Sequence, residues 1–176
     1  MPRMEGRRGR FGALNAGQIT REPNMSIAAR LTELGIVLPQ PAAAVANYVP
    51  FVRTGNLLHI SGQLSNDASG GLKGVVGEDV SPDQAQAGAR LCGINLLAQI
   101  NAALDGDLDR VVRIVKLGGF VQAGPGFHAI PAVINGCSDL MVEVFGDKGR
   151  HARSAVGVYQ LPLGFAVEVD AVVEVA

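Results

Sequence analysis

The stretch from Val111 to Val121 constrains the fold more than any other part of this chain. It reads as a strand, yet it is too continuously apolar for either of its faces to stand in water. Gly118-Gly119 within it suggests a bulge. Further on, Val156 and Val158 face away from Ala155 and Tyr159, so a second strand is also apolar on both sides. Only two long helical patterns are available to cover such a sheet. Ser81-Pro82-Asp83-Gln84 opens the first with a cap, a proline at the first helical position and a glutamine placed to close a capping box. Ala85, Ala89, Cys92, Leu96, Ile100 and Ala103 follow at steps of three and four, and Asp105-Gly106 ends the pattern. The second helix carries Ile130, Ile134, Cys137, Met141 and Val144 on one face and stops at Gly146. Two helices cover one side of a sheet. Self-association is the economical way to hide the other, so a closed homo-oligomer is expected.

The remaining elements are short. Ser26 caps a helix through Leu34 that Gly35 ends, and Pro39 to Pro41 forces an extended segment. Tyr48 to Val52 and Leu57 to Ser61 form a hairpin about Thr54-Gly55-Asn56. Asp67 to Gly71 is a flexible tip, followed by a weak strand over Leu72 to Val76. Ser154 to Leu161 is a strand, and in the last one Phe165, Val167, Val169, Ala171, Val173 and Val175 alternate with Ala166, Glu168, Asp170, Val172 and Glu174. The order β-β-β-α-β-α-β-β predicts an α+β domain, a six-stranded sheet with two long helices on one face.

At 176 residues and 18.3 kDa, the chain is one domain with a tail. Residues 1–24 hold five arginines against two glutamates, and with no apolar periodicity they read as a disordered basic extension. The single domain then runs over 25–176. The extension's net +3 leaves −4 on the remaining 152 residues of a chain whose total is −1, which disfavours a nucleic-acid partner. No apolar run approaches the roughly 18 residues of a membrane span, because Asp139 and Glu143, or Glu168 and Asp170, interrupt every candidate. Cys92 and Cys137 are far apart with no further pair, so they read as small buried hydrophobes in a cytoplasmic protein.

Most catalytic templates fail. Gly124-Pro125-Gly126 is a loop with nothing else of a nucleotide fingerprint. His59, His128 and His151 are too widely spaced for a metal, and nothing implies an organic cofactor. One constellation remains. Arg153 enters an apolar strand where a surface charge is out of place, and Glu168 and Asp170 occupy the polar phase of the next strand. A guanidinium there can take a carboxylate in a bidentate fork, while the plainer reading is an Arg153–Glu168 ion pair across the last hairpin.

Residues 151–171, His-Ala-Arg-Ser-Ala-Val-Gly-Val-Tyr-Gln-Leu-Pro-Leu-Gly-Phe-Ala-Val-Glu-Val-Asp-Ala, resemble the C-terminal signature of the RidA family, also called the YjgF family. Ile60-Ser61-Gly62-Gln63 resembles its Ser-Gly-Gln segment, Asn47-Tyr48-Val49 sits at its Pro-Tyr, and Val133-Ile134-Asn135 at its Val-Asn stretch. The likeness runs over 43–176. It implies a chorismate-mutase-like fold, a homotrimer with clefts between subunits, and cofactor-free hydrolysis of reactive 2-imino acids or enamines to 2-keto acids and ammonia. By the same resemblance Arg153 binds the substrate carboxylate and Glu168 orients the water. Tyr48, Ser61 and Asn135 line the pocket by that resemblance, whereas His151 is expected in the cleft from its own position, two residues before Arg153 on the same strand face. The chain departs from the family at Arg153-Ser154-Ala155-Val156-Gly157, where a cleft thiol and carboxylate are usual, and the small residues should enlarge or reshape the pocket. Two alternatives accompany this reading: a non-catalytic module binding a small carboxylate metabolite such as a 2-keto acid, and an endoribonuclease. The acidic balance, the lack of a His pair and the single aromatic Tyr48 weigh against the second.

Overall fold

The computed structural model describes residues 25–41 and 47–176; the basic extension expected over 1–24 lies outside them. Helix α1 (Ile27–Glu33) is followed by strands β1 (Phe51–Thr54) and β2 (Leu57–Leu64), helix α2 (Pro82–Ala103), strand β3 (Val111–Gln122), helix α3 (Ile130–Phe145), and strands β4 (Ala152–Val158) and β5 (Val167–Val175). The local signals act as expected. Ser26 Oγ accepts from the Ala29 N–H, and Ser81 and Gln84 close the capping box reciprocally at 3.2 and 2.9 Å. Asp105 and Gly106, both at positive φ, end α2.

The fold is α+β, with five strands in the order β1-β2-β5-β3-β4 among the described residues rather than six. The sixth expected strand, Leu72 to Val76, makes only single bridges, Lys73 to Phe165 and Val76 to Val80 and Ala123. Gly71, Gly74 and Gly77 all take positive φ, so this stretch never stays extended long enough to form a ladder. The anticipated last hairpin is also absent. Strand β5 inserts antiparallel between β2 and β3, while β4 returns over α3 to pair in parallel with the far edge of β3.

Gly118-Gly119 stays in register against Asp170 and Val169; the irregularities fall at Val111/Arg113 and Ile114/Lys116, and on β2 between Ile60 and Gln63. The glycines serve close approach instead, since a Cβ at Gly119 would sit 2.7 Å from the Ile134 side chain.

Helices α2 and α3 cover one face. Val167, Val169, Ala171, Val173 and Val175 of β5 are buried beneath them with Cys92, Leu96, Ile134 and Met141. The other phase, including Val52, Val172, Phe120 and Val156, lies on the opposite face, where Val52 is 50% and Val156 46% exposed. No helix among the described residues is long and apolar enough to cross a membrane.

The helices cross tightly at Gly136, where a Cβ would overlap the Gln86 carbonyl oxygen. Alanine ordinarily gains about 1 kcal/mol over glycine within a helix. Overpacking against a backbone that cannot rotate away costs roughly 3 kcal/mol and wins. Gly136→Ala should therefore lower stability by about 2 kcal/mol in denaturant unfolding, with little change in the slope.

Candidate functional site

The sequence-derived site residues fall into two groups. Arg153 aligns with Leu117 on β3, which in turn aligns with Ala171 on β5, so its side chain leaves the sheet on the helix-covered face. At that edge it meets α3. Its Nη1 donates to Asn135 Oδ1 at 2.9 Å and Ser138 Oγ at 3.0 Å, and its Nη2 donates to the Pro131 carbonyl at 3.3 Å. All three acceptors are uncharged, and Arg153 has no acidic partner among the described residues. A guanidinium has five N–H donors, so the Nε–H and one Nη2–H remain for a ligand. His151, just before the strand begins, stands behind Ser138, with Nε2 at 3.0 Å from Ser138 Oγ and Nδ1 at 2.6 Å from the Gly149 carbonyl. Burial, and then the Arg153 charge, hold its pKa below the ordinary histidine value against the Gly149 carbonyl's opposing pull.

Beside Arg153, the small residues of β4 do not leave a void at Gly157. A Cβ there would lie 3.5 Å from Ile130 Cδ1, and Ile130 is 8% exposed, so α3 has settled into that space.

Glu168 belongs to the second group. It aligns with Leu64 on β2 and Phe120 on β3 and leaves the sheet on the face the helices do not cover. The β2 irregularity brings Gly62 over its carboxylate, where a Cβ would overlap Glu168 Oε1. That contact explains the glycine of the Ser61-Gly62-Gln63 segment. Glu168 has a pKa above the ordinary glutamate value, first through burial and then through the neighbouring Asp170 charge. Burial raises Asp170 too, opposed by the Gly118 N–H and by Lys116.

Next to Gly62 lies a groove of ≈ 370 Å³ whose walls include Pro39, Tyr48, Ser61, Gly62, Gln63 and Asn95. Ser61 shapes it: its N–H donates to the Pro50 carbonyl at 2.9 Å and its Oγ to the Val49 carbonyl at 2.8 Å, which holds the segment carrying Tyr48 against β2. Tyr48 is 52% exposed.

One chain therefore unites Arg153, Asn135 and His151 around Ser138, and separately lines the groove with Tyr48 and Ser61, while Glu168 meets Gly62 at its edge without lining it. It does not unite the groups. Between Arg153 and Glu168 lie the sheet itself, two strand spacings of about 5 Å and three residues along the strand at about 3.3 Å each. The ion pair considered from sequence does not form. Ser138 escaped the sequence reading, although its i+3 spacing from Asn135 puts both on one face of a helix. Burial pushes the Cys137 thiol up to about 12 and raises the Cys92 thiol well above its ordinary value, so neither is a nucleophile at neutral pH. Among the described residues, no three His, Cys, Asp or Glu side chains converge as a metal site requires.

A family model described as "YjgF/chorismate_mutase-like, putative endoribonuclease" matches residues 28–174. Protein TCP17 of Trypanosoma cruzi is 53% identical over 150 residues, covering 84% of this chain and 93% of that protein. The crystal structure of Atu1372 from Agrobacterium tumefaciens, described as of unknown function, is 49% identical with a TM-score of 0.80, covering 85% of this chain and 92% of that one. A Shewanella oneidensis protein described as "a putative endoribonuclease" is 32% identical with a TM-score of 0.83, covering 86% of this chain and 100% of that one.

Proposed function

Because the chain belongs to the YjgF/chorismate-mutase-like family, the RidA family of the sequence resemblance, we propose that it is a cytoplasmic homotrimer that hydrolyses small 2-imino acids to 2-keto acids and ammonia. The site lies between copies, with Arg153 from one and Glu168 from its neighbour. The observation that carries this reading is the state of Arg153. Its guanidinium is pinned by three neutral acceptors and has no carboxylate partner among the described residues, so its charge is free for an anionic ligand.

The chemistry follows from the parts. The substrate carboxylate forks onto the Nε–H and Nη2–H of Arg153. This holds the planar imine so that its carbon faces a water on Glu168. The water oxygen adds to the imine carbon as Glu168 takes its proton. Glu168 passes that proton to the nitrogen, giving the carbinolamine; it then takes the hydroxyl proton and delivers it to the amine, so the C–N bond breaks, ammonia leaves and the hydroxyl becomes the ketone. A raised pKa makes Glu168 a better proton acceptor than a solvated glutamate.

The test generates 2-iminopropanoate with an amino-acid oxidase and traps it with semicarbazide. Wild-type protein should suppress the semicarbazone, and Arg153→Ala should lose about 10²–10³-fold in kcat/KM, the loss of a charge-assisted bidentate contact. No suppression across several 2-imino acids, with the oligomer intact, would overturn the enzymatic reading. Calorimetry with pyruvate would then show whether carboxylate binding alone remains. The endoribonuclease wording attached to the family and to the Shewanella relative supplies a second reading. The net −4 on residues 25–176 and the absence of a histidine pair at either group of residues speak against it.

A further inference from the structure

We infer that Ser138 and His151 are positioning residues that hold Arg153 in its carboxylate-binding orientation through a hydrogen-bond relay of fixed direction. The inference deepens the proposed function and rests on it for the identity of the ligand.

The direction of the relay follows from what each atom can do. The Gly149 carbonyl only accepts, so the His151 nitrogen 2.6 Å away, Nδ1, must carry a hydrogen. In the neutral ring Nε2 is then a lone-pair acceptor. The group facing it at 3.0 Å is the Ser138 hydroxyl, which therefore donates to it. That donation leaves the lone pairs of Ser138 Oγ for the Arg153 Nη1–H, also at 3.0 Å. Every hydrogen has one place to go, so the chain from Gly149 to Arg153 has a single consistent arrangement.

Its far end is rigid. Gly149 is buried, and a Cβ there would overlap the Met141 carbonyl, so the short turn Gly146–Gly149 is packed directly on α3. The relay thus joins that turn, α3 and β4 at the point where β4 begins. Asn135 Oδ1 supplies the second acceptor on Nη1 and fixes the plane of the guanidinium. The depressed pKa of His151 keeps the ring in the accepting, neutral form.

Neutrality is the reason for this choice of residues. An aspartate at 138 would hold the guanidinium as firmly and would also cancel its charge. A hydroxyl backed by a neutral imidazole holds it and leaves the charge for a ligand.

The experiment uses the full-length oligomer and measures kcat and KM for 2-iminopropanoate together with Kd for pyruvate. Ser138→Ala and His151→Leu should each raise KM and Kd about tenfold, with kcat changed by less than about threefold, because Arg153 and Glu168 are still present. Ser138→Thr, which keeps the hydroxyl, and His151→Gln, which keeps an acceptor near Nε2, should recover most of that loss. In an Arg153→Ala background, Ser138→Ala should lower kcat/KM no further. An undiminished effect in that background, or no recovery with Ser138→Thr in a folded oligomer, would overturn the relay. Wild-type affinity in Ser138→Ala beside lost affinity in Arg153→Ala would also overturn it and leave the proposed function standing. Wild-type affinity in Arg153→Ala itself would remove the proposed function instead.

Discussion

Glu168→Gln should abolish turnover, retain pyruvate binding and make the protein more stable. The three effects share one cause. Burial and the Asp170 charge hold the Glu168 carboxyl above its unfolded pKa, so folding opposes its ionisation. The contribution to stability is therefore complete below the unfolded pKa and is lost as pH rises through the folded one. Within the single chain, before a neighbour's Arg153 faces it, the ionised Glu168 is a net cost at neutral pH, and a neutral amide of the same shape removes it. The melting temperature of Glu168→Gln should exceed that of wild type at pH 7, and the gap should close as the solution is acidified into the carboxylate range. Turnover should fall about 10²–10⁴-fold, the usual contribution of a positioned general base. A carboxylate with only a structural role would give a less stable variant with its rate intact, and that result would remove Glu168 from the mechanism. Gly62→Ala offers an independent arm, because its Cβ would occupy the position of Glu168 Oε1. It should displace the carboxylate and lose turnover without removing the charge.

What was legible in the sequence was what is local. The Ser81 capping box, the Asp105-Gly106 stop and the alternation along β5 each depend on residues within a turn or a strand of one another, and each appears where expected. Strand order is different. Nothing in the periodicity of Val167–Val175 says that it pairs with both β2 and β3, or that β4 runs parallel to β3, because pairing is decided by which apolar faces must share one core. An Arg153–Glu168 pair fails for that reason: β4 and β5 are consecutive in the chain but β3 lies between them in the sheet. The resemblance supplied Tyr48 and Asn135, which no charge or spacing argument singles out. Neither route reached Ser138, whose importance comes from lying between His151, just before β4, and Arg153 within it, which the fold brings under α3.

The placement of Arg153 and Glu168 on opposite faces leads to a test that needs no knowledge of the best substrate. Arg153→Ala and Glu168→Gln should each be nearly inactive alone. If a site takes its arginine from one copy and its glutamate from the next, mixing the two variants before assembly rebuilds intact sites. Such a site forms wherever the copy supplying the arginine carries Glu168→Gln and its neighbour carries Arg153→Ala. Random association in a closed ring makes about one site in four of this kind, so activity should recover to about a quarter of wild type. Differently tagged variants would verify that mixed oligomers have formed. Mixed oligomers without recovery would mean that the two residues do not share a site across an interface. Recovery would tie together two facts that are separate in the single chain. Among the described residues no element covers the sheet face bearing Val52, Phe120 and Val156, and the two charged groups lack each other. Burying that face against another copy would meet both needs at once, so substitutions that loosen the interface should lower activity in step with the fraction of free monomer.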